Sequence, residues 1–326
     1  MKEILLTGGR PTGKLHLGHY VGAFKQFVNL QYDYESYFIL SDIHMLTTKC
    51  SKADIATIKR NSINMIIDSI AMGVDVDNTT FYLQSNICEL ANIFIIFQNY
   101  VDYTRPLETP SFQEMKKHSS AGGASLGLVA YPVMEAGDIF ALNADVVPVG
   151  KDNIDHIVIA QEIIKKMNTE FGSNFKIPNF LTDENTNYLV GINGSEKMSK
   201  SLDNAIYIRD DEKTIQNKID QMIWDSDDLE QNVVVKYLKI FCDEYANIED
   251  TKKYILNRSL SENVAKDALT SAIIDLILPM QKRAKPFIEN EDRIVDILSK
   301  GTKKVEEIVQ RQLIDLKSAM GLFNVK

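Results

Sequence analysis

The sequence predicts an α/β protein: a doubly wound parallel sheet followed by a smaller domain made of helices alone. In the first half, short apolar runs without polar alternation are separated by stretches of helical period, the pattern of strands covered on both faces by crossover helices. Beyond Asp211 strand-like runs almost vanish and helical periodicity dominates. The length, 326 residues, suggests two domains at roughly 150 residues each. The change of pattern puts the boundary near 205, giving units 1–205 and 206–326.

The elements are these, in chain order. Ile4-Leu5-Leu6-Thr7 is a strand that stops at Gly8-Gly9, and a helical pattern runs over 17–30. Residues 36–40 form a second apolar strand, 53–72 a helix with isoleucines at turn spacing that stops at Gly73, and 79–84 a third strand. Pro106, Pro110, Ser119-Ser120 and Gly122-Gly123 weaken the pattern over 105–127, which reads as an exposed segment. A helix over 125–142, a strand over 146–149 ending at Gly150 and a helix over 152–171 come next, and 174–193 reads as loop-rich. Helical periodicity returns at 211–223, 262–278 and 302–319.

Composition excludes several classes. With 44% hydrophobic and 25% charged residues the chain is globular, not disordered or rod-like. Lys and Arg number 36 against 45 Asp and Glu, a net charge of -9, which argues against coating nucleic acid or anionic membrane by bulk charge. Cys50, Cys88 and Cys242 lack CxxC spacing, so neither a zinc site nor a disulfide framework is expected. No apolar run approaches the ~20 residues that span a bilayer, and no leader signal precedes the first glycines. The expected location is the cytoplasm, with no membrane partner.

Two stretches carry chemistry. Gly8-Gly9-Arg10-Pro11-Thr12-Gly13 joins a strand to a helix start, where free backbone N–H groups and the positive dipole end make an anion site. His16-Leu17-Gly18-His19 comes next, with two of the chain's five histidines on one turn. Imidazoles placed there can donate hydrogen bonds to charge that develops on a phosphoryl group only in the transition state. The bland alternative is a pair of histidines packing a helix start. The second stretch, Lys197-Met198-Ser199-Lys200-Ser201, is suited to a mobile clamp on pyrophosphate. Alone it reads equally as a solvated basic loop; paired with the first it does not.

Together the two stretches resemble the two signatures of class I aminoacyl-tRNA synthetases, and the likeness extends over nearly the whole chain. Arg10-Pro11-Thr12-Gly13, Ser41-Asp42-Ile43-His44, Asp138-Ile139 and Val147-Pro148-Val149-Gly150-Lys151-Asp152 look like the tryptophanyl-tRNA synthetase family. The resemblance implies a Rossmann-like catalytic domain, with a segment at about 105–150 forming a dimer surface. It also implies a helical anticodon-binding domain over 206–326 whose last helix packs back on the first. ATP is the implied substrate, with Mg2+ on its phosphates, and L-tryptophan and tRNA(Trp) are the partners of a homodimer; no DNA is expected.

The same resemblance implies site roles. His16, His19, Lys197 and Lys200 are the catalytic candidates. Arg10, Pro11, Thr12, Gly18, Gly150, Lys151, Asp152, Leu189, Met198, Ser199 and Ser201 join them around ATP, with the backbone at Leu189 on the adenine. Asp138, on a helix opened by Tyr131-Pro132, accepts the indole N–H; its alternative is an ordinary ion pair. Tyr131, His44, Glu135, Leu6 and Asn153 complete the amino-acid site, though His44 reads equally as a core histidine. Two positions depart from the family: Asn153 where Gln is usual, and Glu135 where Met or Gln is. Glu135 and Asp138 share a helix face and should not both ionise easily if buried. A tyrosyl-tRNA synthetase, a small nucleotidylyltransferase and a non-catalytic synthetase-like RNA-binding paralogue are the competing readings.

Overall fold

The computed structural model describes residues 2–117, 123–150, 153–182, 189–194, 196–225, 231–242 and 261–323, without the side chains of Lys117 and Ser201. β1 (Ile4–Gly9) leads into a short helix α1 (Leu17–His19), a π turn (Tyr20–Phe24) and α2 (Lys25–Leu30). β2 (Glu35–Leu40), α3 (Asp42–Leu46), α4 (Lys52–Ala71) and β3 (Thr79–Leu83) complete one half of the sheet. After α5 (Glu89–Phe97), α6 (Thr104–Leu107), α7 (Pro110–Lys117) and α8 (Leu126–Ala141), the chain crosses to β4 (Val146–Pro148) on the other side of β1. α9 (Ile154–Phe171) then leads to β5 (Asn179–Leu181).

All pairings are parallel and the strand order is β3-β2-β1-β4-β5. The winding direction therefore reverses between β1 and β4. In open α/β sheets, ligands bind beyond the carboxyl ends of the strands at such a reversal, here between Gly8-Gly9 and Val149-Gly150.

Period-two alternation divides the strand residues between two cores. Leu5, Phe38 and Phe81 pack with Ile66 and Ile70 of α4, and this cluster runs on into the carboxyl-terminal helices. It takes in Ile215 of α10 (Glu212–Asp220), Val234 and Tyr237 of α11 (Val233–Phe241), and Leu269 and Ile273 of α12 (Glu262–Ile288). Their neighbours Leu6, Tyr37 and Tyr82 face the other way, against Val133 and Ile139 of α8, Ile157 of α9, and Val305 and Val309 of α13 (Asp292–Ala319).

The structure differs from the sequence expectation at four places. Helices α6 and α7 occupy much of the expected exposed segment over 105–127; Ser119, Ser120 and Gly122 lie outside the described residues. Proline disrupts a helix only in its interior, whereas Pro106 sits in the first turn of α6 and Pro110 opens α7. β5 falls within the stretch read as loop: it is Asn179-Phe180-Leu181 just after Pro178, without the apolar run that makes the equally short β4 readable. α12 continues to Ile288 through Pro279 and Pro286, not stopping at 278. α13 begins at Asp292, not at 302, and passes through Gly301. Among the described residues no helix is long and apolar enough to cross a membrane.

Candidate active site

The chain leaves β1 at Gly9, and one buried carboxylate anchors the turn that joins it to α1. Asp68, 1% exposed, accepts from the Leu15 N–H at 3.2 Å and from Arg209 Nε at 2.5 Å. Leu17 N–H donates to Ile206 O at 2.9 Å and Ile208 N–H to Leu15 O at 3.2 Å. Residues 206–208, just past the lysine stretch, are thus zipped onto the first signature.

His16 opens α1 and its backbone N–H donates to His19 Nδ1 at 3.1 Å, which leaves the His19 proton on Nε2. The rings lie 3.8 Å apart between centroids. Burial, then the charges of Lys200 and Lys197, push His16 down to about 3. Burial and then His16 push His19 well below the usual imidazole range. Both rings are therefore neutral near pH 7 and act as hydrogen-bond donors, not cations. Nδ1 of His16 is buried without a partner among the described residues.

Gly18 lets the second signature approach. A Cβ there would stand 3.0 Å from the His16 ring and 3.3 Å from Met198 Cβ. Its N–H donates instead to Met198 Sδ at 3.3 Å. Lys200 Nζ donates to Thr12 Oγ1 at 3.3 Å and Gly13 O at 3.2 Å. Burial lowers Lys200 to about 8, with Asp68 opposing and Arg10 adding to the shift. Lys197 lies on an antiparallel bridge with Val190, and Met198 N–H donates to Leu189 O at 2.9 Å, so that carbonyl is already engaged. Ser199 N–H donates to Asn204 Oδ1 at 2.8 Å.

A second cluster of polar side chains is built on α8. Tyr131, Glu135 and Asp138 recur at four and three residues, so they project from one face. Asp138 is 4% exposed. Gln84, immediately past β3, donates from Nε2 to Asp138 Oδ2 at 2.7 Å and lies 2.7 Å from His44 Nδ1. Asp138 Oδ1 and His44 Nε2 are buried without partners among the described residues. Burial holds the Asp138 carboxyl well above its ordinary range, the Gln84 hydrogen bond opposing. Burial also raises Glu135, but the charge and hydrogen bond of His156, aided by His44 and Arg10, leave it below the ordinary value. The two acids are split, as their proximity requires.

Glu135 Oε2 meets His156 Nδ1 at 3.0 Å. His156 Nε2 lies 2.5 Å from Tyr131 Oη and 2.6 Å from Ser111 Oγ, and Tyr131 donates to Ser111 at 2.9 Å. Arg10 Nη1 donates to Thr48 Oγ1 at 3.1 Å, with Tyr131 and Glu135 close enough to oppose the lowering of its pKa by burial. Leu6 lies in the apolar cluster with Ile139, Tyr82 and Val147. Asn153 precedes α9 and donates from its N–H to Gly150 O at 2.9 Å; Pro11 is buried. Lys151, Asp152 and the Ser201 side chain lie outside the described residues.

Four of the five histidines, His16, His19, His44 and His156, thus line two neighbouring sites. Sequence reasoning missed His156, Gln84, Ser111, Asp68 and Arg209. Gln84 carried one usable signal, its place at the carboxyl end of a parallel strand. Among the described residues no group of three or more His, Cys, Asp or Glu could hold a metal.

Comparison with known proteins agrees with this geometry. The model of the tRNA synthetases class I (W and Y) matches residues 2–312. The tryptophan--tRNA ligase of Borreliella burgdorferi is 36% identical over 98% of this chain and 94% of its own. That of Treponema pallidum is 34% identical over 98% and 96%. The solved tryptophanyl-tRNA synthetase of Campylobacter jejuni, complexed with ADP and tryptophan, superposes with a TM-score of 0.82 at 29% identity, over 98% of this chain and all of that one. The tyrosyl-tRNA synthetase of Archaeoglobus fulgidus shares the fold, at TM-score 0.70 and 21% identity. A neutral imidazole pair docked against a lysine loop at the sheet's reversal, and matches spanning nearly every residue, lead to one statement: the chain belongs to the class I tRNA synthetases of the tryptophan and tyrosine group.

Proposed function

We propose that the chain is a tryptophan--tRNA ligase. A tryptophan carboxylate oxygen attacks the α-phosphorus of ATP in line, the bond to the bridging oxygen breaks, and pyrophosphate leaves. The terminal ribose hydroxyl of tRNA(Trp) then attacks the carbonyl of tryptophanyl-adenylate, giving up its proton as AMP departs. No side-chain nucleophile takes part; positioning and charge stabilisation supply the rate. Mg2+, where it accompanies ATP, would neutralise part of the charge on the phosphates. The Nε2–H of His19 donates to the phosphate being released, and Lys200 supplies a positive charge that tracks it. Gly150, Lys151 and Asp152 hold the ATP ribose, and Leu189 borders the adenine.

Tryptophan as the amino acid is supported by the likeness to tryptophan--tRNA ligases, and Asp138 is the group that meets its indole N–H. Asp138 has one oxygen satisfied by Gln84 and the other buried without a partner among the described residues. A buried acceptor of this kind rejects ligands that leave it unpaired, by orders of magnitude; the indole N–H meets it. ATP–pyrophosphate exchange should proceed with tryptophan and not with tyrosine, and Asp138→Ala should abolish it. Exchange driven by tyrosine alone would overturn the assignment.

A homodimer is part of the proposal, with a second copy on the surface around α3, α5 and the start of α8. Ile43 and Leu46 are each 38% exposed, Ile95 55% and Leu126 83%. Beside them Phe94, Ala130 and Met134 line an apolar groove of about 260 Å³. The proposed units are a catalytic domain at 1–205 and an anticodon-binding domain at 206–326, working in the cytoplasm.

A further inference from the structure

Both signatures converge on one carboxylate, that of Asp68. It belongs to the second half of α4, where every residue from Met65 to Ala71 is buried. Oδ2 accepts from the N–H of Leu15, the residue before His16, and Oδ1 from Nε of Arg209, just past the lysine loop. The rest of the guanidinium grips α4 as well, Nη1 donating to Asn64 Oδ1 and Nη2 to Asn64 O, each at 3.2 Å. We propose that Asp68 is a positioning residue for adenylation: through Leu15 and Arg209 it fixes the register between the imidazole pair and the lysine loop. This inference rests on the adenylation reading given above.

The hydrogen bonding around the carboxylate shows how the register is set. Residues 15–17 and 206–208 pair antiparallel about the bridge between His16 and Tyr207. A regular ladder would continue with Leu15 N–H donating to Ile208 O. That carbonyl accepts instead from Gln281 Nε2 of α12 at 3.1 Å, and the Leu15 N–H turns to Asp68. The ladder thus ends at the carboxylate, and both of its strands are tied to α4. A buried carboxylate is unfavourable without a counter-charge. Arg209 supplies it, and its planar fork holds Asp68 and Asn64 together where an ammonium group could not. Lys200 lies across the same turn, with Nζ donating to Thr12 Oγ1 and Gly13 O. The charged groups facing Asp68 are Arg209 and Lys200; those facing Lys200 are Asp68 and Arg10, beside the neutral His16 and His19. Asp68 is the anion of this set, so it favours the charged form of Lys200 against burial and Arg10. A displacement of about 1 Å between reacting groups can cost ~100-fold in rate, so a fixed register bears directly on the reaction.

Exchange assays on the full-length chain test the proposal, with urea unfolding as the check that each variant is folded. Asp68→Asn keeps an acceptor for Leu15 and removes the charge. It should lower kcat/KM for ATP about tenfold or more, raise KM for ATP, and change KM for tryptophan less than about twofold. The alkaline limb of kcat/KM for ATP, expected above pH about 8, should move to lower pH, because the lost anion was holding the Lys200 proton. Arg209→Met should also lower kcat/KM for ATP about tenfold or more. Arg209→Lys, which keeps the charge but not the fork, should lower it less; at a position 27% accessible it carries the test where Asp68→Asn does not fold. The double variant Asp68→Asn with Arg209→Met should lie within about threefold of the weaker single one, since two residues of one link are not additive. Loss of folded protein alone would lower kcat and leave both KM values and the limb in place. That result would make Asp68 a merely structural residue and overturn the proposal, as would effects that multiply in the double variant. A wild type that shows no exchange with tryptophan would overturn the adenylation reading as well; wild-type exchange with unmoved variants overturns this inference alone.

Discussion

Lys200 carries its charge where burial opposes it, and that makes its protonation visible in kinetics. Its pKa is lowered to about 8 from 10.5, by burial first, with Asp68 opposing and Arg10 assisting. The group is charged below that value and loses its proton as pH rises through it. kcat/KM for ATP, which reports the free enzyme, should therefore fall above pH about 8. Lys200→Arg should remove this alkaline limb, because a guanidinium stays protonated. Lys200→Ala should lower the exchange rate tenfold or more at pH 7, about 1.4 kcal/mol of transition-state stabilisation. An alkaline limb that persists in the arginine variant would assign it to another group. At this scale the two signatures were legible because each is contiguous, and because their joint presence says more than either alone. Gln84 and His156 were not, since each is an isolated polar residue whose role exists only once β3, α8 and α9 are brought together. His44 was undecided in sequence, and in the structure its ring lies 2.7 Å from Gln84 Nε2, the group that also donates to Asp138.

Helix α13 shows how packing decides an element that local signals would break. Gly301 reads as a stop, yet α13 passes through it and crosses the edge strand β3 at backbone contact. A Cβ at Gly301 would stand 2.0 Å from the Phe81 carbonyl oxygen. One residue on, Thr302 Oγ1 accepts from the Leu83 N–H at 3.0 Å, satisfying a donor that an edge strand would otherwise leave open. Helix propensity alone favours Gly301→Ala by up to ~1 kcal/mol. The close approach predicts the opposite sign, a loss of about 1–3 kcal/mol from overpacking. Thr302→Val should cost about 1–3 kcal/mol by stranding the Leu83 N–H. Urea unfolding measures both, and a stabilised Gly301→Ala would contradict the crossing. The same competition explains α12, where Pro279 and Pro286 mark stops in the sequence but Ile277, Met280, Ala284 and Phe287 continue the buried stripe. The parallel strands were legible because a strand buried on both faces needs an unbroken apolar run; β5, three residues long, has no such run.

Charge is a property of the whole molecule, and the structure changes what the sequence total means. From Lys282 to Lys326 there are ten Lys and Arg against seven Asp and Glu, so this segment is +3 while residues 1–281 carry -12. The excess invites a reading as a continuous basic surface for RNA. Several of its members are already engaged within the fold. Arg283 donates from Nε and Nη2 to Ala71 O at 3.0 and 2.7 Å. Lys300 pairs with Asp296 at 2.7 Å, Lys304 with Glu35 at 3.1 Å, and Arg311 Nε donates to Glu307 O at 3.2 Å. Lys300 and Lys304, each with a carboxylate at its side, release fewer counterions when a phosphate replaces that anion, and the segment's net excess is only +3, so few phosphate contacts contribute to the salt term. The logarithm of the tRNA association constant should then fall with the logarithm of salt at a slope of about -3 or shallower, at ~0.7–0.9 per phosphate. Binding must accordingly depend on shape and on bases in single-stranded loops. Titration of tRNA(Trp) binding across salt concentrations of about 50–200 mM decides the matter, because a slope near roughly -8 would require the carboxyl-terminal helices to act as the basic surface that their internal pairings argue against.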